Sequence, residues 1–187
     1  IAEDVYQWTD PDSNLQRKIT INIFSSDFTV SSSFLTGSSL QTLTSVSEKD
    51  NAVDKAKSFL VDMSLFPQDI DENKTKTSLY SIGAGTLIPT GKIAGSKIVR
   101  VDFFQKDIDG LPIYYDKGIN STIDLLVGKE NNELKVVNAT YFYKNVSENI
   151  STYAIKSASQ AFAQLKQGEG YIASNPAGLV EVSIKKV

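Results

Sequence analysis

The sequence runs to 187 residues, 41% hydrophobic, 22% charged and 10% aromatic, which is a globular balance and excludes a collagen-like, coiled-coil or wholly disordered chain. It has neither cysteine nor histidine, so a disulfide framework, a thiolate nucleophile, a serine triad and a histidine-ligated metal are all excluded. Nineteen basic residues against twenty-two acidic leave a net charge of −3, and the densest basic stretches, Gln16-Arg17-Lys18 and Lys185-Lys186, are too small to bind nucleic acid.

Residues 1–15 carry the turn cluster Asp10-Pro11-Asp12-Ser13-Asn14 and read as an irregular lead-in. Ile19, Ile21 and Ile23 then alternate with Lys18, Thr20 and Asn22, the period of a half-buried strand. From Ser25 to Ser47 the chain is rich in Ser and Thr, and its scattered Phe28, Val30, Phe34 and Leu35 predict short strands or an ordered loop. Residues 1–46 are therefore read as an N-terminal segment of strands.

Ser47-Glu48-Lys49-Asp50 has the composition of a capped helix start. Val53, Ala56, Leu60 and Met63, flanked by Ala52 and Phe59, recur at the spacing of one buried helical face, and Pro67 stops the helix near Leu65 or Phe66.

The period changes to two from Thr77 to Asn145. Gly83, Gly85, Pro89, Gly91 and Gly95 punctuate the first part, so its strands are short or bulged. Val99, Val101 and Phe103 share one face, opposite Ile98, Arg100, Asp102 and Phe104. Asp109-Gly110 supplies a turn and Leu111–Tyr115 a returning strand. Ile123, Leu125 and Val127 alternate next, followed by a polar turn across Gly128–Asn132. A longer strand, Leu134–Tyr143, places Val137, Ala139, Tyr141 and Tyr143 on one face. Strands joined this closely are antiparallel, so residues 97–144 are expected to form a meander with the first helix laid across it, in a domain of residues 47–150.

Ser157 to Gln160 is a second capping arrangement, with Ala158, Ala161, Phe162 and Leu165 as an apolar stripe and Gly168 as the stop. Tyr171–Ala173 reads as a short strand, and Val180, Val182 and Ile184 alternate to the end. Residues 151–187 are thus a second helix with terminal strands. The helix starts at Ser47 and Ser157 are compatible with two related units about 110 residues apart, although their apolar phases do not align beyond the caps. The fold class is α+β: an antiparallel β-meander packed by helices.

The segment Val99-Arg100-Val101-Asp102-Phe103-Phe104-Gln105, continuing to Gly110-Leu111-Pro112-Ile113, resembles the strand–turn–strand of PepSY domains and of the propeptides of thermolysin-like proteases. The strand, polar turn and strand over Ile123–Tyr143 follow as they do in that family. The helix Ser157–Gly168 is similar to an element of YycH- and YycI-type bacterial accessory proteins, which are membrane-anchored and face outward. The resemblance covers about 100 residues of the chain. It implies a PepSY/cystatin-like extracytoplasmic bacterial domain that binds another envelope protein, modulating a protease or a sensor. A histidine-free chain cannot hold the metalloprotease zinc motif, so these residues do not supply the peptidase itself.

Arg100 and Gln105 are the partner-binding candidates within the resemblance, although both also suit the polar face of a half-buried strand. Val180, Val182 and Ile184 are the candidates for edge-strand pairing with a partner. Asp69-Ile70-Asp71-Glu72-Asn73 opens like a calcium loop but has Lys74 where Gly belongs and Tyr80 where Glu belongs. Asp10–Asn14 fails in the same way, at Leu15 and Ile21. No carboxylate is marked out for acid–base work, and the glycines do not follow the order of a phosphate loop, so neither an enzyme nor a cofactor is expected. Tyr141, Tyr143 and Tyr153 with Phe142 are weighed as a sugar or peptide platform, with core packing the stronger reading.

The missing cysteine and histidine, the single methionine Met63 and the Ser/Thr-rich stretch favour an extracellular or cell-envelope location. The sequons at Asn73, Asn120, Asn138, Asn145 and Asn149 are weighed as glycan acceptors of a eukaryotic secretory pathway, with chance occurrence in an Asn- and Ser/Thr-rich chain the stronger reading. The sequence opens at Ile1, and a leader or single membrane helix is expected before it. A structural or adhesive surface module binding glycan or matrix is the alternative to a protein-binding regulator.

Overall fold

The computed structural model describes residues 4–11, 15–36, 40–113, 121–146 and 156–169. Among these, eight strands make one sheet: β1 (Val5–Thr9), β2 (Lys18–Asn22), β3 (Phe28–Ser31), β4 (Lys76–Gly83), β5 (Thr86–Thr90), β6 (Ile98–Phe103), β7 (Ile123–Glu130) and β8 (Glu133–Tyr141). Their order is β1-β2-β3-β8-β7-β6-β4-β5, and every neighbouring pair is antiparallel. Helix α1 (Val46–Asp62) packs across β6, β7 and β8. The expected α+β class, with consecutive strands β6, β7 and β8 under a helix, is what the chain adopts. The strands of the expected N-terminal segment join this same sheet, within one compact unit of residues 1–113 and 120–143.

Helix α2 (Ala158–Lys166) belongs to a second unit. Its cap is the expected box, with Ser157 accepting from the Gln160 N–H while the Gln160 side chain accepts from the Ser157 N–H. Gly168, at φ +81°, takes the left-handed conformation that ends it. Val180, Val182, Ile184 and the short strand expected at Tyr171–Ala173 lie outside the described residues.

Ala52, Ala56 and Leu60 are the fully buried ridge of α1, as the 3.6-residue period predicts, with Val53, Phe59 and Met63 beside them half-buried. The helix starts two residues before the expected Ser47. Ser45 is the cap and accepts from the Glu48 N–H, and the Glu48 carboxylate turns back to accept from the Thr44 N–H at 2.6 Å. It also ends before Leu65, because Ser64 turns left-handed at φ +58° and the Leu65 N–H closes on the Leu60 carbonyl at 2.8 Å.

The sheet buries both faces. Under α1, two rows of cross-strand neighbours traverse six strands: Trp8–Ile19–Val30–Ala139–Leu125–Val101, and Tyr6–Ile21–Phe28–Tyr141–Ile123–Phe103. On the far face Leu15, Phe34, Leu40, Ile98, Leu126 and Val137 make a second cluster. The face assignment expected for Val137 is corrected by a bulge. Leu126 pairs with Asn138 and Val127 with Val136, so Val137 is the extra residue and joins the far cluster, while Ala139 and Tyr141 stay under α1.

Three further expectations change. The lead-in contains strand β1, held in register against β2 from Val5↔Asn22 to Thr9↔Lys18. The turn after β7 is only Asn131-Asn132, both left-handed at φ +52° and +62°, so Gly128 lies inside the strand. After the turn at Asp109-Gly110, Leu111 makes a single bridge to Ile108 in place of a sheet strand, and residues 114 and 115 lie outside the described part.

Candidate functional site

The two core rows do not stop at the end of the helix. Because α1 covers β6, β7 and β8, the β1–β2–β3 wing carries the same apolar rows past it to the sheet edge. There Tyr6 and Trp8 are 47% and 53% exposed, with ring centroids 6.1 Å apart and planes 20° from parallel. Phe59 of α1 and Met63 at its C-terminal cap border the wing, and with Trp8, Ile19, Val30 and Val136 they line a groove of about 430 Å³. Arg17 closes one end, its Nη2 donating to Asp10 Oδ2 at 2.7 Å. Sequence reasoning missed this site. The available signal was the alternation of Tyr6 and Trp8 with Val5, Gln7 and Thr9, which the neighbouring Asp-Pro turn obscured.

Among the described residues β1 is one of the two edges of the sheet, opposite β5, and its hydrogen-bond phase is fixed at both ends. The Ile23 N–H donates to the Asp4 carbonyl at 2.9 Å and the Asp10 N–H to the Arg17 carbonyl at 2.8 Å. Bonded pairs alternate in an antiparallel ladder, so Tyr6 and Trp8 direct their backbone groups toward β2, while Val5, Gln7 and Thr9 direct theirs outward. The Gln7 side chain donates to Thr20 Oγ1 at 3.0 Å.

The sequence-derived candidates are placed elsewhere. Arg100 lies on the far face, its Nε 2.9 Å from Asp102 Oδ1 and its Nη2 3.8 Å from Asp124 Oδ1. Asp102 and Asp124 are buried and directly paired across β6 and β7. Burial pushes the Asp124 carboxyl up, Arg100 pulls it down, Asp102 pushes it up and the Thr140 hydroxyl opposes, and the net shift is upward. Burial alone lowers the Arg100 guanidinium, but Asp124 and Asp102 outweigh it and hold its pKa above the ordinary value. Arg100 therefore acts inside the fold, neutralising two carboxylates.

Gln105 is buried, and its Nε2 donates to Asp69 Oδ2 at 2.9 Å. Its backbone bridges Ile70, which ties the segment after α1 to the end of β6. The two resemblance-derived candidates thus have separate structural partners, Asp102 for one and Asp69 for the other. The acidic loop is used internally as well: Asp71 caps a short 3-10 turn over Glu72–Lys74, Glu72 pairs with Lys57 and Lys74 with Asp107.

Of the tyrosine platform, Tyr141 is buried and stacked on Phe28, with centroids 4.8 Å apart. Its hydroxyl donates to the Leu65 carbonyl at 2.9 Å. Burial, with the Asp69 and Asp27 carboxylates adding to it, pushes this phenol up to about 12. Tyr143 packs on the core, and Tyr153 lies outside the described residues. Tyr141 is thus a core residue, and the exposed stacked aromatics are Tyr6 and Trp8.

Compared with known proteins, the chain matches no family model, no curated protein and no solved structure.

Proposed function

We propose that this chain is a non-catalytic, PepSY/cystatin-like domain of the bacterial cell envelope that binds a polypeptide partner, a protease or a sensor, and modulates it. The observation that carries the binding reading is the surfacing of the core rows at Tyr6 and Trp8 beside the open backbone of β1. An apolar groove bordered by exposed aromatics is a common form of recognition surface, because rigid rings bury much area at little cost in side-chain entropy. The packing of α1 across the antiparallel strands β6, β7 and β8 supports the family resemblance, and the cysteine-free, Ser/Thr-rich composition supports the envelope location. Neither reading calls for a cofactor or a nucleic acid.

The stacked Tyr6–Trp8 pair also favours a second reading, an adhesive module that stacks sugar rings on the same surface. Trp8 is the only tryptophan in the chain, so its emission reports on the site directly. Titration with extended peptides and, separately, with neutral oligosaccharides distinguishes the two readings. A saturable blue shift with peptide supports the regulator, one with oligosaccharide alone supports adhesion, and no shift with either contradicts both.

A further inference from the structure

We infer that β1 is a docking edge for an added β-strand: an extended segment of a partner protein, apolar at alternate residues, pairs with the outward backbone of Val5, Gln7 and Thr9. The inference rests on the reading of the Tyr6–Trp8 surface as a polypeptide site and specifies how that site is used.

Three features of the edge argue for a strand as the occupant. Among the described residues nothing pairs with the outward ladder groups of Val5, Gln7 and Thr9, so the main chain of a partner meets donors and acceptors at strand spacing. The β1 sequence Val-Tyr-Gln-Trp-Thr contains no proline, lysine or bulge, the devices that commonly protect an exposed edge. Most specifically, the core rows ending at Tyr6 and Trp8 are one strand short of coverage. A seventh strand would continue each row by one residue, placing apolar side chains beside the two rings.

The same geometry sets the chemistry of the partner. Side chains on the Tyr6–Trp8 face of the added strand are apolar. Those between them meet Gln7 and Thr9 on the other face and are polar, because a strand alternates faces at every residue. Asp4 precedes β1 and is exposed, which favours a cationic residue at the partner end that lies beside it.

The test uses a short peptide of alternating valine and threonine with a lysine at each end, and a control of the same composition with its valines grouped. Binding is measured by calorimetry and by Trp8 emission. Gln7→Pro removes one outward N–H without touching a β1–β2 ladder bond, and Gln7→Ala is its control, since it loses the same side-chain bond to Thr20 but keeps the N–H. The alternating peptide is expected to bind the wild-type chain and Gln7→Ala alike, and Gln7→Pro roughly five- to tenfold more weakly, as loss of a single hydrogen bond implies. A peptide N-methylated at every second residue reads the same contact with the protein unaltered, so a poorly folded Gln7→Pro leaves the test intact. Binding that ignores Gln7→Pro, N-methylation and the valine grouping overturns strand addition while leaving the surface a polypeptide site. If no peptide shifts Trp8 emission, the reading of the surface fails and strand addition fails with it.

Discussion

Lys129 of β7 places its Nζ 2.6 Å from Oε1 of Glu48 in the first turn of α1, and the other oxygen of that carboxylate accepts from the Thr44 N–H. One side chain thus joins the helix start to the sheet beneath it. The Lys129 hydrogen bond first, and the Thr44 N–H second, hold the Glu48 carboxyl down at about 2, against its ordinary 4.5. A carboxylate with a lowered folded-state pKa stabilises the fold above its unfolded value, and this contribution is lost as the pH falls through the folded one. Glu48→Gln is therefore expected to be less stable than the wild type near neutral pH. The gap should close between about pH 5 and pH 2, where the wild type surrenders the same contribution. Urea unfolding across that range checks it, and a gap that stays constant with pH contradicts the linkage.

Arg100 stands between two buried carboxylates, so its removal leaves both uncompensated. Arg100→Ala is expected to cost on the order of 3 kcal/mol, and Asp124→Asn added to it to recover part of that loss. Asp124 is already held above its ordinary value, and without the guanidinium it rises further. A raised folded-state pKa makes the fold more stable in acid than at neutral pH. Arg100→Ala should accordingly regain stability on acidification toward about pH 4. Purely additive single and double variants would refute the coupling.

Gly128 lies where the far-face cluster presses on β7. A Cβ there would come within 3.0 Å of Leu40 Cδ1 and 3.1 Å of Ile98 Cδ1, both ends of buried side chains. Gly128→Val is expected to cost about 1–3 kcal/mol by overpacking, and Gly128→Ala less. Leu40→Ala opens the space, so Gly128→Ala should be better tolerated in that background than alone. Thermal unfolding of the four chains decides it, and equal costs in both backgrounds would rule out the clash.

What the sequence made legible follows the range of each interaction. Ala52, Ala56 and Leu60 lie on one face by local spacing alone, as do Val99, Val101 and Phe103, so α1 and the faces of β6 could be read directly. The helix start could not be placed to the residue. Ser45 and Ser47 are chemically equivalent caps, and the choice depends on Glu48 reaching Thr44 and Lys129. The bulge at Val137 depends on the β7–β8 register, and the Arg100 cluster on Asp124 arriving from another strand, neither of which is a local property. β1 was hidden for the opposite reason. Its alternation is local but short, and it precedes an acidic proline turn that argues for irregular chain.

The claim that β1 is an open edge awaiting a strand is tested most directly by amide hydrogen exchange, residue by residue, with and without the alternating peptide. The Tyr6 and Trp8 amides already point to β2 and serve as internal references, whereas those of Val5, Gln7 and Thr9 point outward. The account predicts fast exchange at Val5, Gln7 and Thr9 in the free chain and about tenfold or greater slowing at these three when peptide is bound, with little change at Tyr6 and Trp8. Slowing confined to α1 or to the groove residues, with the three outward amides still exchanging freely, would contradict it.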